Sequence, residues 1–131
     1  MSDKTSVLFI FQHNAGRSQL GAALLSILAG DSFVASSAGL SPAETVNPAV
    51  AATIAELGAD ISHNVPRAVT EDDLDKADIV VLMKPGLLLP SVPQGEVLEW
   101  SFPNPESWDA AAVSPLRQAI ASQIESELLS R

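Results

Sequence analysis

At 131 residues, with 47% apolar and 18% charged residues, the chain is long and apolar enough for one packed domain, which excludes global disorder. Seven Lys/Arg against sixteen Asp/Glu leave a formal net charge of -9. Without a basic cluster, neither nucleic acid nor an anionic membrane surface is a fitting partner. There is no cysteine, so disulfides, thiolate metal sites, iron–sulfur clusters and thiol nucleophiles are excluded together.

No apolar stretch reaches the roughly 20 residues of a membrane span. Residues Met1 to Thr5 lack the charged-then-apolar layout of a signal peptide. A cytoplasmic protein without a cofactor is expected.

The run Ser6-Val7-Leu8-Phe9-Ile10-Phe11 predicts a strand buried on both faces. Gln12-His13-Asn14-Ala15-Gly16 breaks it. A helix is predicted from Arg17 to about Leu28, with Leu20, Leu24, Ile27 and Leu28 on its inner face and Gly30-Asp31 at its end. Phe33 to Ser36 predicts a second strand closing at Ala38-Gly39. Asn47-Pro48 starts a helix that runs to Leu57, with Val50, Ile54 and Leu57 inward, and stops at Gly58. Thr70 and Asp73 have capping-box spacing for a short helix carrying Leu74. Ala77 to Met83 predicts a third strand and Val97 to Trp100 a fourth. Ser114-Pro115 opens a last helix with Leu116, Ile120, Ile124 and Leu128 on one stripe.

Strands alternating with helices predict an α/β fold: three layers, a four-stranded parallel sheet with helices on both faces, and one domain over residues 1–131. In such sheets ligands bind beyond the carboxyl ends of the strands. Here that place holds Gln12, His13, Asn14, Ala15, Gly16, Arg17 and Ser18. A helix N-terminus brings free N–H groups and a positive dipole end. Small Ala15 and Gly16 let those groups curl inward, Asn14 tolerates left-handed angles, and Arg17 can grip two oxygens of an oxyanion. The residue types alone leave two readings open, an oxyanion cradle and an ordinary helix start capped by Asn14.

The segment Val7 to Gln19 resembles the active-site loop of the low-molecular-weight tyrosine phosphatases and thiol-dependent arsenate reductases, whose signature is Cys, five residues, then Arg-Ser. The sequence His13-Asn14-Ala15-Gly16-Arg17-Ser18-Gln19 is similar to the arsenate-reductase branch. The resemblance continues through Ser37-Ala38-Gly39, Val46-Asn47-Pro48, Glu56 to Ser62, Ala77 to Val81 and Trp100 to Pro105, and covers nearly the whole chain. It implies a low-molecular-weight phosphatase-like fold and favours the cradle, with Gln12 to Ser18 as the anion-binding residues.

The resemblance also marks what is missing. Phe11 stands where the family has its nucleophilic cysteine, and Asn104 where its phosphatases have the aspartate that acts as general acid. Met83 to Pro90 stands where the reductases keep further cysteines and offers proline and leucines instead. No catalytic residue is therefore expected. Three functions remain open. The chain is a non-catalytic binder of phosphate, arsenate or a phosphorylated protein; or an interaction or regulatory protein with the cradle plugged by Phe11, pairing with itself or with an active paralogue; or a phosphatase or reductase using unfamiliar residues. The second predicts an exposed apolar patch, with Leu87-Leu88-Leu89 as its candidate.

Other chemistry-bearing residues have plainer roles. Ser18 with His13 as base would make a substitute nucleophile, but Ser18 suits capping better. His13 and His63 lack metal-ligand spacing. The acidic run Glu71-Asp72-Asp73 with Asp75 and Asp78 suits a helix start, where negative charge favours the dipole. Trp100 is expected in the core and Trp108 as a lid on the last helix.

Overall fold

β1 (Thr5–Phe11) is the centre of the molecule, and its four consecutive buried residues, Val7 to Ile10, require cover on both sides. The computed structural model describes residues 4–102 and 107–130. After β1 come α1 (Arg17–Ala29), β2 (Phe33–Gly39), α2 (Pro48–Ala55) and α3 (Glu71–Lys76). Then follow β3 (Ile79–Leu82), β4 (Glu96–Glu99) and α4 (Ala110–Ile124), which runs into a π-helical turn, Glu125–Leu129. The sheet order is β2-β1-β3-β4 and every pairing is parallel, as expected.

Side chains alternate across the sheet. Val7, Phe9, Ile79 and Val81 join Leu20, Leu24, Leu25, Ile54, Ile120 and Ile124 in the larger core under α1, α2 and α4. Leu8, Ile10, Val80 and Leu82 meet Leu74 of α3 on the opposite face. The expected three layers are present, and β1 delivers its C-terminal residue Phe11 to the α1 side of the sheet.

Several local expectations hold. Asn47 caps α2 by accepting the Ala49 N–H, with Pro48 at the first helical position. Thr70 and Asp73 form a full capping box on α3. Others need correction. In α1 burial follows Leu20, Leu24 and Leu25, while Ile27 and Leu28 are each 41% exposed. Ile27 instead lines the open cleft beside β2, while Ala29 of the same turn packs on the larger core. α2 stops at Ala55, and Leu57 is turned to solvent beyond it.

α4 begins at Ala110, not at Ser114-Pro115. Asp109 accepts the Ala112 N–H and fixes the start earlier, so Pro115 stands inside the helix and costs it one backbone bond. Its stripe of Leu116, Ile120, Ile124 and Leu128 is buried as expected. β3 and β4 are each four residues, and Trp100 follows β4. The leucine run divides. Leu87 and Leu89 pack on the α3-side core, while Leu88 alone is 86% exposed. Among the described residues no helix is long and apolar enough to cross a membrane.

Candidate functional site

The turn between β1 and α1 is shaped by where its carbonyls go. Phe11 and Gln12 carbonyls accept the Leu40 N–H, and Gln12 also accepts from Ser41. His13 O accepts from Ala43 N and Ala15 O from Asn47 N. Segment 40–47 thus takes up the acceptors of the turn from one side. The donors are treated differently: among the described residues, the backbone N–H groups of His13, Asn14, Ala15, Gly16 and Ser18 have no acceptor. They sit at the N-terminus of α1, whose first turn carries no acidic residue to compensate the dipole.

Asn14 holds this arrangement. Its φ is 52°, the left-handed region, and among the described residues no other non-glycine has a positive φ. Its side-chain NH₂ donates to Ser18 Oγ at 3.0 Å, and its Oδ1 accepts the Arg67 N–H at 3.0 Å. Its carbonyl accepts from Gln19 Nε2 at 2.9 Å, and Gln19 Oε1 accepts from Asn64. Asn14, Ser18 and Gln19 are all buried. Asn14 is therefore a brace across three segments and not the helix cap, which is Gly16 without any side-chain bond. Ser18 likewise does not cap; its hydroxyl accepts from Asn14 and keeps its own proton for donation.

Close approach requires glycine at position 39 and brings a tryptophan ring against Gly16. A Cβ on Gly39 would lie 2.8 Å from Asn14 N, so β2 can pass beside the turn only as glycine. A Cβ on Gly16 would lie 3.1 Å from the Trp108 ring, which rests over the turn from α4's approach. Trp108, expected as a lid on the last helix, thus has its ring at the turn and is 44% exposed. Trp100 is core, tilted against Phe9 at 6.1 Å and edge-on to Phe102 at 6.3 Å.

Arg17 is buried, with its guanidinium carbon 4.9 Å from the centroid of the Phe11 ring. Its Nη1 points at the Met83 carbonyl at 3.5 Å. Burial lowers its pKa below the usual arginine value without discharging it near neutrality. Phe11 is half-buried and packs against the larger core while carrying Arg17 on its face.

The remaining candidates separate. His13 is exposed and its Nδ1 is bonded to the Ser41 carbonyl at 2.9 Å, so it does not serve Ser18 as a base. Gln12 reaches Ser41 Oγ. His63 is exposed, 3.9 Å from Asp60. Among the described residues no three His, Asp or Glu gather as metal ligands. Asn104 lies outside the described residues. Neither Arg67 nor Asn64 stands out in the sequence as a support of the turn. Gln19 stood in the motif but carried no assigned role, because a buried amide bridging to a carbonyl has no spacing signature.

Fold and turn together define an α/β protein whose strand-to-helix connection presents donors at the carboxyl end of a parallel sheet. The family model for low molecular weight phosphotyrosine protein phosphatase matches residues 6–93, and the chain belongs to that family. It is 30% identical to arsenate reductase 1 of Staphylococcus epidermidis over 125 residues, covering 93% of this chain and 94% of that one. Among solved structures it is similar to the thioredoxin-dependent arsenate reductase of Corynebacterium glutamicum (34% identity, TM-score 0.78), covering 98% of this chain and 64% of that longer one. The fold also matches an arsenate reductase solved in its phosphate binding state, with TM-score 0.83 at 23% identity, covering 96% of this chain and 98% of that one.

Proposed function

We propose that this chain is a non-catalytic member of its family that binds a phosphate-like oxyanion on the turn between β1 and α1. The observation that carries this is the hydrogen-bond imbalance of the turn: its carbonyls are consumed by segment 40–47, while five of its N–H groups and the Ser18 hydroxyl proton have no acceptor among the described residues. Such donors at an uncompensated helix N-terminus suit tetrahedral anions, phosphate and arsenate above all. The ligand class agrees with the phosphate held by the like-folded arsenate reductase.

The chemistry of the family is not supported. Its nucleophile is a thiolate; this chain has no cysteine, and Phe11 offers no lone pair at the corresponding position. Asn104, at the position of the general acid, is an amide without a transferable carboxylic proton. Turnover of para-nitrophenyl phosphate by the native chain, abolished by Ser18→Ala, would sink the non-catalytic assignment.

Binding is tested by thermal unfolding in phosphate, arsenate and sulfate. At 100-fold excess over Kd, a ligand of the folded state alone adds about 2.7 kcal/mol, which at this length raises the midpoint by roughly 10 °C. Arg17→Ala should remove most of the shift. An unchanged midpoint up to tens of millimolar anion would refute the proposal.

A second reading, the plugged cradle, is favoured by one observation, the stacking of Arg17 on Phe11 at 4.9 Å. It predicts no shift for the native chain and a shift that emerges in Phe11→Ala.

A further inference from the structure

The sheet has an open side that the anion turn does not use. β2 is an edge strand, and its backbone groups alternate between facing β1 and facing outward. The parity is fixed at three points. Ser32 O bonds Thr5 N and Leu40 N bonds Phe11 O, both on the β1 side. Gly39 faces the other way, its N–H on Arg67 O at 2.9 Å and its carbonyl on Val69 N at 2.9 Å. By alternation, Phe33, Ala35 and Ser37 also face outward, and among the described residues their N–H and carbonyl groups have no partner.

Residues 67 to 69 therefore meet β2 at a single isolated bridge, Gly39 with Ala68. The chain before them bends away. What it leaves is a cleft of about 480 Å³ along the open edge, between β2, the outer face of α1 and segment 59–65. Ala35 and Ser37 line one wall, Ala22 and Ile27 another, and Ile61 and Val65 the third. Val65 and Ile27, both lining it, expose apolar surface there. An edge strand of uncharged residues, without lysine or proline, lacks those usual protections against pairing.

We propose that this cleft is a strand-addition site that takes an extended peptide segment of a partner protein, with uncharged, small or apolar side chains at its centre and basic residues at its flanks. The open edge from Phe33 to Ser37 spans roughly 13 Å at about 3.3 Å per residue, room for about five residues of the incoming strand. Main-chain bonds to Phe33, Ala35 and Ser37 hold it, and alternate side chains enter the apolar walls. The preference for basic flanks follows from charge. No carboxylate lines the cleft, and Arg67, its one charged lining residue, is bonded to Asp73 at 2.8 Å. Around it the chain carries -9, with Asp31 next to β2 and Asp60 in the facing segment. A second copy of this chain would bring the same excess of negative charge to the edge and be repelled.

The test uses the full chain and a fluorescein-labelled probe, Lys-Arg-Val-Thr-Val-Thr-Val-Arg-Lys, read by anisotropy, with light scattering for self-association. Saturable binding that weakens as salt rises is expected. A probe with proline at its central positions, unable to donate, should not bind, and one with glutamates at its flanks should bind at least about tenfold more weakly. Ala35→Pro removes an outward N–H and no bond to β1, so the fold should survive while affinity falls about tenfold. By hydrogen exchange, the amides of Val34, Ser36 and Ala38 should be protected in the free chain, and those of Ala35 and Ser37 only with the probe. Equal binding of the proline probe would overturn the strand geometry. No binding at millimolar probe would overturn the site. A dimer that Ala35→Pro dissolves would overturn the choice of partner.

Discussion

Replacing Asn14 separates the two jobs this residue performs, a backbone shape and a brace. Asn14→Ala keeps φ near 52°, where a Cβ without a compensating side-chain bond costs about 1 to 2 kcal/mol. It also deletes the bonds to Ser18 Oγ and Arg67 N, worth about 1 kcal/mol each. The expected loss is about 3 to 4 kcal/mol, a large share of the stability of a chain this size. Asn14→Gly loses the same two bonds but not the backbone strain. After allowing about 0.7 kcal/mol for the greater freedom of glycine in the unfolded chain, it should be about 1 kcal/mol more stable than the alanine variant. Urea unfolding with a common m-value measures both. A glycine variant no better than alanine would refute the strain argument, and a loss below about 1 kcal/mol in either would refute the brace.

The burial pattern of α1 gives a sharper contrast. Leu25→Ala, fully buried, should cost about 2 to 5 kcal/mol, and Ile27→Ala, at the open cleft, less than about 1 kcal/mol; equal losses in urea unfolding would contradict this burial contrast. Acid sensitivity should come partly from Asp73. Desolvation pushes its carboxyl up, but bonds from Arg67 and Thr70 outweigh this and leave its pKa below the ordinary value. A depressed folded pKa means the stabilisation is present above the unfolded pKa near about 3.9 and is lost as pH falls through the folded value. Asp73→Asn should therefore lower the midpoint at neutral pH by about 1 kcal/mol equivalent and flatten the acid limb; an unchanged limb would remove Asp73 as its source. Finally, Phe11→Cys with Asn104→Asp should create measurable hydrolysis of para-nitrophenyl phosphate. Continued inertness, with the double variant folded, would show that the turn has lost the family's shape along with its chemistry.

Most of the architecture is legible from the residue order, because the signals are local. Buried-run strands, the Asn47-Pro48 start and the Thr70–Asp73 capping box depend on neighbours within four residues and formed where expected. So did the left-handed turn at Asn14, since few residues other than glycine tolerate that backbone. Where a helix ends against its surroundings was decided elsewhere. Ile27 and Leu28 have the right period, yet both stay exposed, Ile27 in the cleft beside β2; Pro115 looks like a helix start, yet Asp109 had already opened the helix. The composition of the turn named its donors but not their fate. That segment 40–47 occupies the carbonyls, that Arg67 and Gln19 brace Asn14, and that the Phe11 ring carries Arg17 emerge from the three-dimensional packing. The bonds to segment 40–47 and to Arg67 join residues distant in the chain, and hydrogen bonding at such separations leaves no period or spacing to read.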